Sequence, residues 1–206
     1  MERYVELQRS EGFEIPSWEQ VYSMLLELAQ KIQNDGFNPD IIVGVSRGGW
    51  TPARVLSDLL ENPEIANVKA EFYLGIIQTR EQPVITQPIS VDVNDKKVLV
   101  VDDVSDTGKS LSLVRSHLLE QGAKSLKIVT LYYKPWSVTK PDYYEKTTRN
   151  WVIFPWERKE AFGKVVEKYQ QKGRSVEDAK RTLVEFGFDP ELADRFIEEK
   201  FGDSKC

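Results

Sequence analysis

Apolar positions along this chain switch between two spacings. Val21, Leu25, Leu28 and Ile32 recur at helical spacing, with Ser17 and Gln20 placed as a capping box and Asp35-Gly36 as a stop, which predicts a helix over 18–33. Ile41 to Val45 is instead a short unbroken apolar run, mostly β-branched and bounded by turn residues, as expected of a strand covered on both faces. Ser46-Arg47-Gly48-Gly49 breaks it, and Ala53, Leu56, Leu59 and Leu60 restore helical spacing over 50–60. The same succession returns in Lys97 to Val101, the turn Asp106 to Ser110, and a helix to Glu120 that Gly122 ends. Further strands are predicted at 68–74, 126–133 and 151–154. The polar, proline-bearing stretch 75–88 reads as a loop or extended hairpin placed to serve as a lid.

Strands alternating with helices imply an α/β fold, a doubly wound and mostly parallel sheet. After Arg158 the strand signals stop. Two helices are predicted there, one capped by Ser175 with Asp178, the other opening at Asp189-Pro190. Val176, Ala179, Leu183, Phe186, Leu192, Phe196 and Ile197 would form their apolar face. The expected organisation is one domain over 1–160 followed by a small C-terminal helical appendage over 161–206.

A chain of 206 residues with 40% apolar content can fill a core of its own. Its net charge of -5, from 33 acidic and 28 basic residues, offers no basic field, so nucleic acid is not an expected partner. No run of about 20 apolar residues occurs, and Met1-Glu2-Arg3-Tyr4 lacks the apolar segment of a secretory signal, so no membrane is expected and the cytoplasm is. Cys206 is the only cysteine and His117 the only histidine. Neither a disulfide frame nor a Cys/His metal site can be built, and any metal must be held by oxygen. His117 reads as structural, within the helix ending at Glu120.

Candidate chemistry concentrates in residues 98–110. Ligands of open parallel sheets sit beyond the carboxyl ends of the strands, where this chain delivers Asp102-Asp103 and then Asp106-Thr107-Gly108-Lys109-Ser110. Gly108 allows close approach, backbone N–H groups of 106–110 converge at a helix N-terminus, and the Thr107 and Ser110 hydroxyls add donors, a combination suited to phosphate. The first glycine of a Walker A loop is missing. Two carboxylates beside a phosphate cradle must bind something else, and sugar hydroxyls or Mg2+ answer that need. A phosphorylated sugar fits.

Val98 to Gly108 closely resembles the PRPP-binding signature of type I phosphoribosyltransferases. Val45-Ser46-Arg47-Gly48-Gly49 resembles their pyrophosphate loop, and Lys134-Pro135-Trp136 with Trp151 to Glu157 resembles their purine-binding segments. The likeness covers residues 15–158 in the family's own order and leaves the tail uncovered. It implies Mg2+-dependent transfer of ribose 5-phosphate from phosphoribosyl pyrophosphate (PRPP) to N9 of a purine, giving the nucleoside monophosphate and pyrophosphate for purine salvage. It assigns Asp102 and Asp103 to the PRPP ribose and Mg2+, with Glu157 as a further metal residue, and residues 106–110 to the 5-phosphate. Ser46, Arg47 and Gly48 fall to pyrophosphate, with a non-proline cis peptide at Ser46-Arg47, and Asp106 becomes the proton acceptor near N7. Lys134, Trp151 and Val152 fall to the base, in a hood over 134–158. The serine-tyrosine pair common in the family's flexible loop is absent from 75–88.

Lys134 matches the lysine that donates to O6 of 6-oxopurines, and Asp106 stands where adenine enzymes carry alanine, so guanine, hypoxanthine or xanthine is the expected base. An adenine enzyme on the same scaffold remains the alternative if Lys134 turns away, and a PRPP-sensing nucleic-acid regulator the alternative of another class. Lys134 could also be a surface charge beside Pro135, Lys109 a solvated first-turn residue, Arg47 a solvated loop residue and Trp151 core alone. A homodimer or homotetramer is expected, with the tail's apolar face aiding assembly.

Overall fold

The structure, a computed structural model, describes residues 12–73 and 82–201. The expected lid tip between them, Leu74 at the end of one predicted strand, and Cys206 lie outside the described residues. Among the described residues the chain divides into two compact units, the first built from within 19–149 and the second from 12–18 with 150–201.

The first unit is a six-stranded sheet. Its elements are α1 (Trp18–Asn34, whose first residue belongs to the other unit), β2 (Ile41–Ser46), α2 (Trp50–Leu59), β3 (Ile65–Tyr73), β4 (Gln82–Gln87), β5 (Lys97–Ser105), α3 (Lys109–Glu120), β6 (Ser125–Tyr133) and β7 (Tyr143–Thr147). The strand order is β4-β3-β2-β5-β6-β7. Every pairing is parallel except that of the edge strand β4, which runs antiparallel to β3. This is the mostly parallel α/β sheet expected, and the stretch read as a loop or hairpin contributes β4. Valines 43, 45, 68, 98 and 100 are buried with Leu111, Val114 and Leu118 of α3 on one face. Ala53 and Leu56 of α2, both fully buried, cover β2 and β5 on the other. Unbroken β-branched runs follow from that two-sided cover.

The second unit opens with β1 (Phe13–Glu14), paired in parallel with β8 (Trp151–Val152). The strand predicted over 151–154 is thus shorter and stands in a separate ladder. Trp151 N donates to Gly12 O at 2.9 Å and Ile153 N to Glu14 O at 2.8 Å, before Pro155, which has no N–H to donate, starts a 3-10 turn. Three helices follow where two were predicted: α4 (Arg158–Gln171), α5 (Val176–Glu185) and α6 (Pro190–Phe201). The added α4 buries a narrow stripe of Ala161, Phe162, Val165 and Val166 and is otherwise mostly charged or polar. The Ser175 capping box is present, with Asp178 N donating to Ser175 Oγ and Ser175 N to Asp178 Oδ2, both at 3.1 Å. Leu192 N donates to Asp189 Oδ1 at 2.8 Å. Ala179 and Leu183 are buried as predicted, but the aromatic at the centre is Phe188, packed on Phe162 and Phe196, while Phe186 is exposed on one side and meets Phe13 edge-on. No described helix is long and apolar enough to cross a membrane.

Candidate active site

Strand order decides where a ligand can enter. From β2 the chain crosses over α2 to β3 on one side, and from β5 over α3 to β6 on the other, so the two connections leave the neighbours β2 and β5 in opposite directions. A crevice must open beyond the carboxyl ends of two strands that part in this way. It is present as a cleft of about 150 Å³ lined by Ser46, Arg47 and Gly48 after β2 and by Asp102 to Asp106, Gly108 and Ser110 at the end of β5. The sequence motifs 50 to 60 residues apart therefore meet at one place.

Local geometry explains the residue types. Gly108 has φ +76°, a left-handed conformation that a side chain strains, and it caps α3 so that the first-turn amides of that helix face the turn 106–108. Those amides and the helix dipole attract an anion. Thr107 and Lys109 belong to the same turn, outside the cleft lining, with Lys109 N within 3.4 Å of Thr107 Oγ1. The Ser46-Arg47 peptide is cis, as the resemblance implied. Asn67 Nδ2 donates to Ser46 Oγ at 3.2 Å. Arg47 carries its charge beside Glu71, whose carboxyl is held below its ordinary range mainly by the Thr86 hydroxyl and Lys69, and to a smaller degree by Arg47.

Asp103 is buried at 4% exposure, and Gly48 lies against it so closely that an added Cβ would sit 2.1 Å from Asp103 Oδ2. Asp102 Oδ1 accepts from Asp103 N at 3.0 Å, which turns the first carboxylate back along the strand end. Among the described residues, no group of three or more His, Cys, Asp or Glu side chains gathers as a metal cage. Two oxygen-bearing carboxylates at a phosphate cradle nevertheless fit Mg2+, which keeps several waters and is usually held by one or two carboxylates together with substrate oxygens.

The segment after β6 adds residues to the same unit. Lys134 is fully buried, so the surface-charge reading of this lysine fails. Its Nζ lies 5.6 Å from the centre of the Trp136 ring, and its backbone N donates to Ser105 O at 3.0 Å. Sequence reasoning did not single out Ser105, Ser137 or Thr139, which tie this segment to the strand end and turn at 105–108. Of the other predicted base and metal residues, Trp151 and Val152 are buried in the β1–β8 ladder and Glu157 stands in the 3-10 turn, all in the second unit.

Residues 14–162 match the phosphoribosyl transferase domain family. The chain belongs to that family. It is 31% identical, over 73% of its length and 90% of the relative's, to a xanthine-guanine phosphoribosyltransferase from Cereibacter sphaeroides. Its structure resembles a purine phosphoribosyltransferase from Pyrococcus horikoshii, 42% identical, with a TM-score of 0.64 over 70% of this chain and 93% of the other. A hypothetical protein from Neisseria gonorrhoeae with bound ppGpp, 22% identical, shares the fold over 92% of this chain and 97% of its own, with a TM-score of 0.65. The doubly wound sheet is thus the type I phosphoribosyltransferase fold, and this member is an enzyme of pentosyl transfer.

Proposed function

We infer that this phosphoribosyltransferase moves ribose 5-phosphate from PRPP to N9 of a 6-oxopurine, releasing pyrophosphate and the nucleoside monophosphate. The observation that carries the reading is the cleft at the divergence of β2 and β5, where an anion cradle and two adjacent carboxylates share one small volume. A phosphorylated sugar needs both.

In this reading residues 106–110 bind the 5-phosphate through the α3 amides and hydroxyls, and Asp102 and Asp103 hold the ribose hydroxyls. Ser46, Arg47 and Gly48 bind pyrophosphate, where Arg47 meets charge growing on the leaving oxygens. Mg2+, assigned to Asp102, Asp103 and Glu157, would supply further neutralisation of that leaving group when bound. Asp106 accepts the purine proton as N9 becomes nucleophilic. Lys134 donates to O6, a role supported by its burial in the unit that holds the cleft, with its Nζ 5.6 Å from the centre of the Trp136 ring. Adenine presents a donor at that edge and would be rejected. Trp151 and Val152 are assigned to the ring of the base. The catalytic domain is taken as residues 1–160, with its lid near 75–88 and its hood over 134–158, and 161–206 as the extension. The enzyme is assigned to the cytoplasm as a homodimer or homotetramer, a self-association supported by the exposed row Trp18, Tyr22 and Leu26 on α1.

The test offers guanine, hypoxanthine, xanthine and adenine separately with PRPP and Mg2+, and light scattering on the same preparation reads the oligomer. An oxopurine should be converted fastest. Preference for adenine would remove Lys134 as the reader of the base, and no conversion of any base would overturn the assigned reaction.

A further inference from the structure

The proposed proton acceptor has a partner that neither the reaction nor the family motif assigns. Trp136 Nε1 donates to Asp106 Oδ1 at 3.1 Å across 30 positions of sequence. The other feature of the same side chain, its ring face, carries the Lys134 ammonium 5.6 Å from its centre. One indole therefore touches the two residues that the proposed reaction sets against N7 and O6 of the purine. Both contacts lie within the first unit.

The segment bearing Trp136 is held by more than this contact. Lys134 N donates to Ser105 O at 3.0 Å and Val138 N to Thr107 O at 2.9 Å, so the backbone of 134–138 is bonded to the turn that contains Asp106. Ser105 Oγ, 2.8 Å from Ser137 Oγ, donates to Thr139 O at 2.7 Å, and Thr139 Oγ1 donates to Gly108 O at 2.7 Å. The strap presses on Gly108 so closely that an added Cβ would lie 2.3 Å from Ser137 Oγ and 2.5 Å from Thr139 N. Trp136 is thus fixed relative to the loop on which Asp106 stands, and its N–H is aimed by that loop's own hydrogen bonds.

We propose that Trp136 is a positioning residue for Asp106, setting which way the carboxylate faces and linking it to Lys134, so that proton acceptance and recognition of O6 are held in one geometry. An indole N–H can only donate, so it pairs with the ionised carboxylate that a proton acceptor must be. Occupying Oδ1 also restricts rotation of a short side chain, and a misplaced acceptor costs rate steeply. The proposal rests on the acid-base role of Asp106 given above.

Trp136→Phe keeps an aromatic face for Lys134 and removes the donor. Its kcat with the preferred purine should fall about 10- to 100-fold, the size of a hydrogen bond to a charged group, while KM for PRPP stays at the wild-type value. In an Asp106→Ala background the same change should cost nothing further, which a merely structural tryptophan would not show. Trp136→His, which restores a ring N–H, should recover part of the rate. The contact is also read without altering Trp136: among the indole N–H signals of the five tryptophans, Asp106→Ala should shift one upfield and leave the others in place. A wild-type kcat in Trp136→Phe, losses that add in the double variant, or indole signals unmoved by Asp106→Ala would each overturn the proposal while leaving the transferase reading intact. A wild-type enzyme inactive on every purine would overturn both.

Discussion

A methyl group added at Gly48 would lie 2.1 Å from Oδ2 of Asp103, the far end of a short side chain. The same group added at Gly49 would lie 2.1 Å from Val101 O and 2.8 Å from Val45 N and O, which are backbone atoms of β5 and β2. A carboxylate can swing aside, whereas two paired strands cannot part without losing the packing around them. Gly48→Ala should therefore fold with little change in melting temperature and lose about 100-fold in kcat/KM for PRPP, the expected cost of displacing a binding group by an ångström or so. Gly49→Ala should instead fail in stability, melting far below wild type or collecting in the insoluble fraction. Equal activity in Gly48→Ala and wild type would remove Asp103 from PRPP binding. The two glycines are adjacent in sequence and identical in type, and what separates their roles is that Gly48 meets a side chain of β5 and Gly49 its backbone.

Among the secondary elements, β7 shows what an edge strand contributes. Tyr143 at its start donates its hydroxyl to Asp35 Oδ2 at 2.5 Å, just beyond the end of α1. Burial, and then the Asp35 carboxylate, raise the phenol well above its ordinary pKa of 10.0. In the unfolded chain Tyr143 loses its proton near pH 10, but in the folded chain it keeps it, so its contribution is complete below about pH 10 and declines as the pH rises further. Melting temperatures followed from pH 8 to 11 should fall more steeply in wild type than in Tyr143→Phe above that point. Parallel curves would sink the idea. Neither β7 nor its hydrogen bond was legible in the sequence, because a strand at the sheet edge mixes Glu145 and Lys146 into its exposed end and shows no apolar run. By contrast β2, β5 and β6 were legible, since their stretches covered on both faces read as near-continuous apolar runs. Helix α4 escaped for a related reason, its four buried positions being diluted by mostly charged or polar residues. The site divides in the same way. Asp102, Asp103 and the turn 106–110 are local in sequence and stand where strand meets helix, so their place at one cleft could be expected directly. The hold of Trp136 on Asp106 depends on how a strap folds back across 30 residues, which no local spacing encodes.

At the scale of the whole molecule, the division into two units separates two parts of the proposed chemistry. Every residue lining the cleft between β2 and β5 belongs to the first unit, whereas Trp151, Val152 and Glu157 belong to the second with the C-terminal helices. Within the second unit the β1–β8 ladder and the helices share apolar packing, since Phe13 meets both Trp151 and Phe186, at 5.8 and 5.5 Å between ring centres. The C-terminal helices are therefore packed with the strand that bears two residues assigned to the base, and stability lost at their centre should be felt there. Phe188 is that centre, 1% exposed and packed on Phe162 at 5.7 Å. Phe188→Ala removes a fully buried ring at a cost of about 3–5 kcal/mol. Because the cleft is built without any residue of this unit, PRPP binding measured by calorimetry should survive the substitution, while KM for the purine rises and kcat/KM for the purine falls. Loss of PRPP binding in step with purine turnover would show that the two units fold as one and that the phosphate cleft depends on both. Unchanged purine kinetics in a chain whose second unit has demonstrably melted would withdraw Trp151 and Val152 from the base.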